Sequence, residues 1–254
     1  MDYFRKIPKI IHQTWKTNEI PLEWQEHQKT WKTLFPEPDY KYMFWTDHDN
    51  RNLIKTKFSW FLPIYDGYAK NIERADAIRY FILYEYGGIY ADMDYSVRYN
   101  FYESLVSGKI NVVQDYRNVG TISNFLMASP VKNKLWKDVF RGLVENRNHS
   151  YTLQSTGPAM LSSVLLGQDI HILPFETYNP PNPEICFLYK IFSLNILFRY
   201  YNFNLWNHSF GNHHNSESWG FQECQHFVKQ HAYLVPLLLC SFYFFSTRFF
   251  FFVE

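Results

Sequence analysis

Apolar positions fall into short blocks of two different periods along this chain. IPKIIHQT (7–14), with IIHQT following a proline, predicts a first buried strand. Pro21 to Leu34 predicts a helix and Tyr42 to Thr46 a second strand, so the chain opens in the β-α-β order of a nucleotide-binding sheet. Ile72, Ala75, Ile78, Ile82 and Tyr86 then recur at spacings of three and four, predicting an amphipathic helix with one apolar face. Gly87 and Gly88 stop that helix, and Ile89 and Tyr90 carry the chain into another strand. Val131 to Asn146 predicts a further helix, with Leu135, Val139, Leu143 and Val144 on one face. STGP (155–158) reads as a tight turn and YNPPNP (178–183) as a turn-rich loop. The expectation is one α/β domain over residues 1–230.

The texture changes over 231–254. From Tyr233 to Val253 the chain is mostly apolar, broken chiefly by Ser-Thr-Arg and Pro236, and as one helix it would span about 31 Å. A membrane segment is expected there, with Arg248 close enough to its end to snorkel. A packed terminal helix and a shifted reading frame are the competing readings. MDYFRKIPKI shows no apolar core of a signal peptide, so no N-terminal anchor is expected. That would place the 1–230 domain on the cytosolic side of a membrane, with a soluble cytoplasmic protein as the alternative. The sequons at Asn148 and Asn207 would then go unmodified.

Composition narrows the classes. With 46% hydrophobic and 19% charged residues in 254, the chain can bury one sizeable core and is not a disordered type. A formal net charge of +1, without a run of five like charges, argues against a nucleic-acid partner. The 20 Tyr and 24 Phe offer stacking surfaces for sugars and bases, although an A/T-rich coding bias accounts for most of them. Three widely spaced cysteines, Cys186, Cys224 and Cys240, predict neither a zinc site nor a disulfide framework.

The candidate chemistry centres on RADAIRYFILYEYGGIYADMDY (74–95). Asp92 and Asp94 leave a strand one residue apart, and two hard carboxylates in that position suit a divalent ion bound to a diphosphate. Asp76 and Arg79, three apart on the helix, lie close enough to pair. On spacing alone, a surface ion pair and a solvated acidic turn fit equally well. Asp92-Met-Asp-Tyr-Ser96 also fits the Asp-x-Asp-x-Ser signature of haloacid-dehalogenase-type phosphatases. That fold wants its nucleophile after a first apolar strand, whereas this pair sits at mid-chain. A non-catalytic carbohydrate-binding or membrane protein on the same scaffold is the other alternative. His12 reads as an interior histidine.

These segments together resemble the DXD-containing glycosyltransferases related to Och1 and to the mannosyl-inositol-phosphorylceramide synthases, glycosyltransferase family 32. The likeness runs in order through IPKIIHQTWKT (7–17), YMFWTDHDNR (42–51), WFLPIYDGY (60–68), the aspartate region, SNFLMASP (123–130), STGPAMLS (155–162) and HHNSESW (213–219). It implies a GT-A-type nucleotide-diphospho-sugar transferase fold and a metal-dependent retaining hexosyltransferase using Mn2+ or Mg2+. GDP-mannose is the implied donor, with a UDP-hexose as the alternative, and a lipid or glycan such as inositol phosphorylceramide the acceptor. Asp94 would hold the metal directly, and Asp92 the ribose and metal-bound water. By likeness to the related glucosylating toxins, Asp76 and Arg79 would face the donor sugar and Trp15 would stack on the base, with Arg74 a further donor-binding candidate. His214 would complete the metal shell, and Ser218 and Trp219 would lie on a loop closing over the diphosphate, with Glu217 standing where the family has glycine. Ser155, Thr156 and Gly157 would position the acceptor. With no nucleophilic carboxylate evident, front-face transfer is the expected route.

Overall fold

Pro8 and Lys9 deliver the chain into β1 (Ile10–Thr14), whose Ile11, His12 and Gln13 are sealed from solvent. The structure is a computed structural model describing residues 6–115, 120–179 and 210–213, all within one compact unit. Helix α1 (Leu22–Leu34) leads to β2 (Lys41–Trp45), which lies parallel to β1. Thr46 then caps α2 (Asp47–Lys57). Its hydroxyl accepts the Asp49 N–H at 3.2 Å while the Asp49 carboxylate accepts the Thr46 N–H at 3.0 Å, satisfying two donors the helix start would otherwise leave open.

After α3 (Leu62–Gly67) comes α4 (Asn71–Tyr86), then β3 (Gly88–Ala91) and β4 (Tyr95–Val97). β5 (Asn111–Gln114), β6 (Ile122–Ser129), α5 (Leu135–Glu145), α6 (Thr152–Ser155), α7 (Pro158–Leu165), β7 (His171–Leu173), α8 (Phe175–Tyr178) and β8 (Gly211–His213) follow. The main sheet is mixed, in the order β2-β1-β3-β6-β5-β7. β1 is parallel to β2 and β3, β6 is antiparallel to β3 and β5, and β5 is parallel to β7. A separate ribbon pairs β4 with β8 antiparallel.

Each face of the sheet carries an apolar cluster. On one, the Phe81 and Phe140 rings stack 4.1 Å apart and join α4 to α5. On the other, Trp31 of α1 packs with Phe35, Tyr95 and Phe101. A strand covered on both faces is apolar throughout, and all four residues of β3 are buried.

Two predicted elements change in the fold. The helix expected from Val131 starts at Leu135; Leu135, Val139 and Leu143 of its stripe are buried, and Val144 partly so. The single apolar face expected of α4 is not what forms. Asp76 through Leu83 are all buried, while Ile72 of the expected stripe is 52% exposed. The sheet covers α4 on one side and α2, α3, α5 and α6 pack around the rest, so its polar residues enter the interior and need partners there.

The Gly-Gly stop serves two purposes. Gly87 and Gly88 have φ of +62° and +92°, open to glycine at little cost. A Cβ on Gly88 would also stand 2.5 Å from the Ile10 carbonyl oxygen, so β1 and β3 could not meet at that register. His12, beside them, donates from Nε2 to the Gly87 carbonyl at 2.9 Å and accepts the Trp45 indole N–H at Nδ1, 3.2 Å. It is a fully partnered interior histidine.

Residues 180–209 and 214–254 lie outside the described residues, as do most of the proline loop and the whole apolar tail. Among the described residues no helix is long and apolar enough to cross a membrane.

Candidate active site

At the end of β3 the chain leaves the sheet as Asp92-Met93-Asp94, and its backbone is held from two neighbouring strands. The Asp92 N–H donates to the Phe125 carbonyl of β6 at 2.8 Å. The Asp92 carbonyl accepts from Tyr95 N–H at 3.1 Å and from Gln13 Nε2 of β1 at 3.2 Å. The acidic turn is therefore a built corner. The solvated-turn reading does not describe it.

The Asp92 carboxylate is set by two groups. The Tyr90 phenol donates to Oδ1 at 2.9 Å, and burial pushes the Tyr90 pKa well up, which keeps that proton in place. The Arg79 guanidinium lies 3.2 Å from the same oxygen. With its side chain 24% exposed, Asp92 keeps carboxylate surface that a ligand can reach.

Arg79 itself is only 3% exposed and every edge of it is used. Nε donates to the Ala75 carbonyl at 3.2 Å, one terminal nitrogen to the Asn124 carbonyl at 2.8 Å, and the other lies 3.0 Å from Asp76. Its carbon sits 5.0 Å from the Tyr90 ring centre, a cation over an aromatic face. Burial alone would lower its pKa, but the charges of Asp92 and Asp76 outweigh that, so Arg79 stays charged. Asp76 accepts from Asn124 Nδ2 at 3.0 Å and Thr156 Oγ1 at 3.3 Å besides Arg79. Burial pushes its carboxyl up, and these three partners pull it back.

The surface ion pair is thus corrected to a buried one. The expectation that both Asp76 and Arg79 face the donor sugar also changes, because the Arg79 fork is spent on protein oxygens. What the pair does is orient Asp92 from behind.

The remaining predicted residues separate. Trp15, half-buried where β1 ends, is tilted against Trp24 with ring centres 5.2 Å apart, and Lys16 Nζ lies 5.7 Å from its ring. It is outside both core clusters. Arg74 donates to the Tyr68 carbonyl and the Asn71 side chain, so it closes the turn between α3 and α4. Ser155 and Thr156 are fully buried. Ser155 donates to Glu73 at 2.9 Å and Thr156 to Asp76, so these hydroxyls support α4 and do not meet an acceptor. Gly157 caps α7, and a Cβ there would stand 3.0 Å from the Leu153 Cα.

In the β4–β8 ribbon Tyr95 pairs with His213, which returns the start of HHNSESW to the residue following Asp94. His214, Ser218 and Trp219 lie outside the described residues.

Four neighbours were not singled out from sequence: Gln13, His27, Tyr90 and Asn124. Tyr90 and Asn124 lie inside the resembling segments, GGIYADMD and SNFLMASP, so position relative to the aspartates was the available signal. Gln13 and His27 carry none. Burial lowers the pKa of His27, against the pull of the nearby Asp94 charge.

Asp92 and Asp94 fit a hard divalent ion in chemistry: both are oxygen ligands, partly exposed, and the Asp92 backbone is hydrogen-bonded to β1 and β6. Two carboxylates form an incomplete shell, and among the described residues no group of three or more His, Cys, Asp or Glu gathers to hold an ion. The donor set therefore suits an ion that brings diphosphate oxygens with it.

Residues 21–115, which include the aspartate corner with Asp76, Arg79 and Tyr90, match the family described as "Glycosyltransferase sugar-binding region containing DXD motif". Through this region the chain is similar to the DXD-containing glycosyltransferases. Among particular relatives, it is 61% identical over 88 residues to inositol phosphoceramide mannosyltransferase 3 of Schizosaccharomyces pombe, covering 35% of this chain and 24% of that protein. To inositol phosphoceramide mannosyltransferase 2 of the same organism it is 42% identical over 162 residues, 61% of this chain and 45% of the relative. The chain thus spans less than half the length of either. The PaToxG glycosyltransferase structure superposes with a TM-score of 0.52 at 20% identity, over 63% of this chain and 69% of that one, and so shares the fold.

Proposed function

We propose that this chain is a metal-dependent, GT-A-type retaining glycosyltransferase that moves mannose from GDP-mannose to an inositol phosphoceramide-type lipid. The observation that carries the reading is the Asp76–Arg79–Asp92 chain of charges, which holds Asp92, with Asp94 two residues on, at the exit of β3 inside the family-matched region. A diphosphate-bound Mn2+ or Mg2+ held by that pair would supply neutralising charge as the nucleotide leaves. The chain's own groups do the rest. Tyr90 and Arg79 fix the Asp92 carboxylate, Trp15 offers an aromatic face for the base, and β8 brings His213, where HHNSESW begins, opposite Tyr95 beside the aspartates.

Front-face transfer is favoured over a covalent glycosyl-enzyme. Asp76 has both carboxylate oxygens engaged by Arg79, Asn124 and Thr156, which makes it a poor nucleophile. A lipid acceptor would bring the enzyme to a membrane surface, and the 231–254 segment is our candidate for the attachment.

The test is a screen of GDP- and UDP-sugars with Mn2+, followed for hydrolysis and for transfer to inositol phosphoceramide in vesicles. GDP-mannose turnover with retention is the expected result, and a preference for UDP-hexoses would overturn the donor. Metal-dependent donor binding with no turnover would point to a non-catalytic scaffold.

A further inference from the structure

Gln13 of β1 is sealed from solvent, and each end of its amide has a partner. Nε2 donates to the Asp92 carbonyl at 3.2 Å, and Oε1 accepts the Tyr42 hydroxyl at 2.6 Å. An amide has two orientations that exchange its oxygen and its nitrogen, and a fixed neighbour has to choose between them. Here the Tyr42 phenol chooses. Burial pushes its pKa up, against the pull of a hydrogen bond from Gln28, so it keeps the proton that it donates. Turned over, the amide would set Oε1 against the Asp92 carbonyl oxygen.

The sheet register builds this contact. Ile11 lies beside Tyr42 and Gln13 beside Phe44, so Tyr42 and Gln13 share a face as diagonal neighbours on parallel strands. β1 also pairs His12 with Tyr90, which brings Gln13 level with the end of β3. β1 and β6 flank β3, and each bonds the main chain of Asp92, Gln13 at its carbonyl and Phe125 at its N–H. Tyr90 and Arg79 act on the Asp92 carboxylate, whereas Gln13 acts on the peptide group that joins Asp92 to Met93. The tilt of that peptide plane sets the direction in which Asp94 leaves.

Resting on the metal reading above, we propose that Gln13, oriented by Tyr42, is a positioning residue for the metal corner: its amide fixes the Asp92–Met93 peptide plane and so the placement of the two carboxylates offered to a diphosphate-bound ion. A buried glutamine needs partners wherever it stands, so a packing role predicts a loss of stability and nothing else. A positioning role predicts a weaker ion site, and it predicts that Tyr42 acts through Gln13.

Tyr42→Phe removes the hydroxyl that orients the amide, and Gln13→Leu removes the amide. Titration calorimetry of the full chain with GDP, at a series of Mn2+ concentrations, should show the half-saturating Mn2+ rising roughly three- to tenfold in each variant, as for one neutral hydrogen bond. GDP binding in EDTA should be the same in every protein. The double variant should need no more Mn2+ than Gln13→Leu alone, because linked contacts do not add. Leu161→Ala opens a cavity in the apolar cluster of Phe81 and Phe140, and should lower the melting temperature without moving the half-saturating Mn2+. Unchanged half-saturation in Tyr42→Phe, an equal shift in Leu161→Ala, or additive shifts in the double variant would each overturn the assignment. If Gln13→Leu does not fold, Tyr42→Phe decides it. Wild-type protein whose GDP binding ignores Mn2+ would remove the metal reading itself and this inference with it.

Discussion

Arg79 and Asp92 lie 13 residues apart in the chain and meet at 3.2 Å across the junction of α4 and β3. One cation thereby serves two carboxylates, since the same guanidinium also lies 3.0 Å from Asp76. A buried cation of this kind is worth most in its removal, because the partners left behind keep their charges without compensation.

Arg79→Ala should therefore act first on stability. Loss of about 3–5 kcal/mol in urea unfolding is expected for a buried ion pair broken from one side. Adding Asp76→Asn should restore part of it by removing the stranded charge. A loss of under about 1 kcal/mol, typical of exposed pairs, would contradict the buried network.

Asp94 is partly exposed, so Asp94→Asn should leave the melting temperature near wild type while lowering turnover at least about a hundredfold. Excess EDTA on the wild-type protein should have the same effect. Activity surviving both treatments would remove metal from the proposal.

Trp15 stands at the C-terminal end of β1 with one side against Trp24. If its ring takes the base, Trp15→Ala should weaken GDP binding roughly tenfold, and Trp15→Phe should recover much of the loss. Fluorescence titration with GDP reads both. Equal affinity in all three proteins would leave the ring a packing element.

His12 makes stability depend on acid. Burial lowers its pKa from 6.5 to about 4, so between those values the unfolded chain binds a proton that the folded one refuses. The contribution is full above pH 6.5 and is lost as pH falls toward 4, at most about 3 kcal/mol. The urea midpoint should fall over that window, and His12→Gln should flatten the slope there. An unchanged slope in His12→Gln would assign the acid sensitivity to other groups.

Much of this architecture was legible in the chain itself. IIHQT, the Pro21–Leu34 helix, YMFWT and the Leu135–Leu143 stripe became elements within a few residues of their expected bounds, because local period and turn chemistry act over short distances. The Gly87-Gly88 stop was also readable, since positive φ is a property of the residue. Asp92 and Asp94 stood out through their position after a strand. What only tertiary structure decided was the surroundings of α4. A period of 3.6 describes a helix with one wet side, and nothing in RADAIRY says that the sheet and four helices will cover it. That covering turns Asp76 and Arg79 from a surface pair into an internal brace and sends Ser155 and Thr156 inward. It also brings Asn124 to Asp76, 48 residues away, and leaves the Tyr68 hydroxyl buried without a partner. Those contacts join segments far apart in the chain, and only burial, which removes water as the competing partner, makes each of them matter.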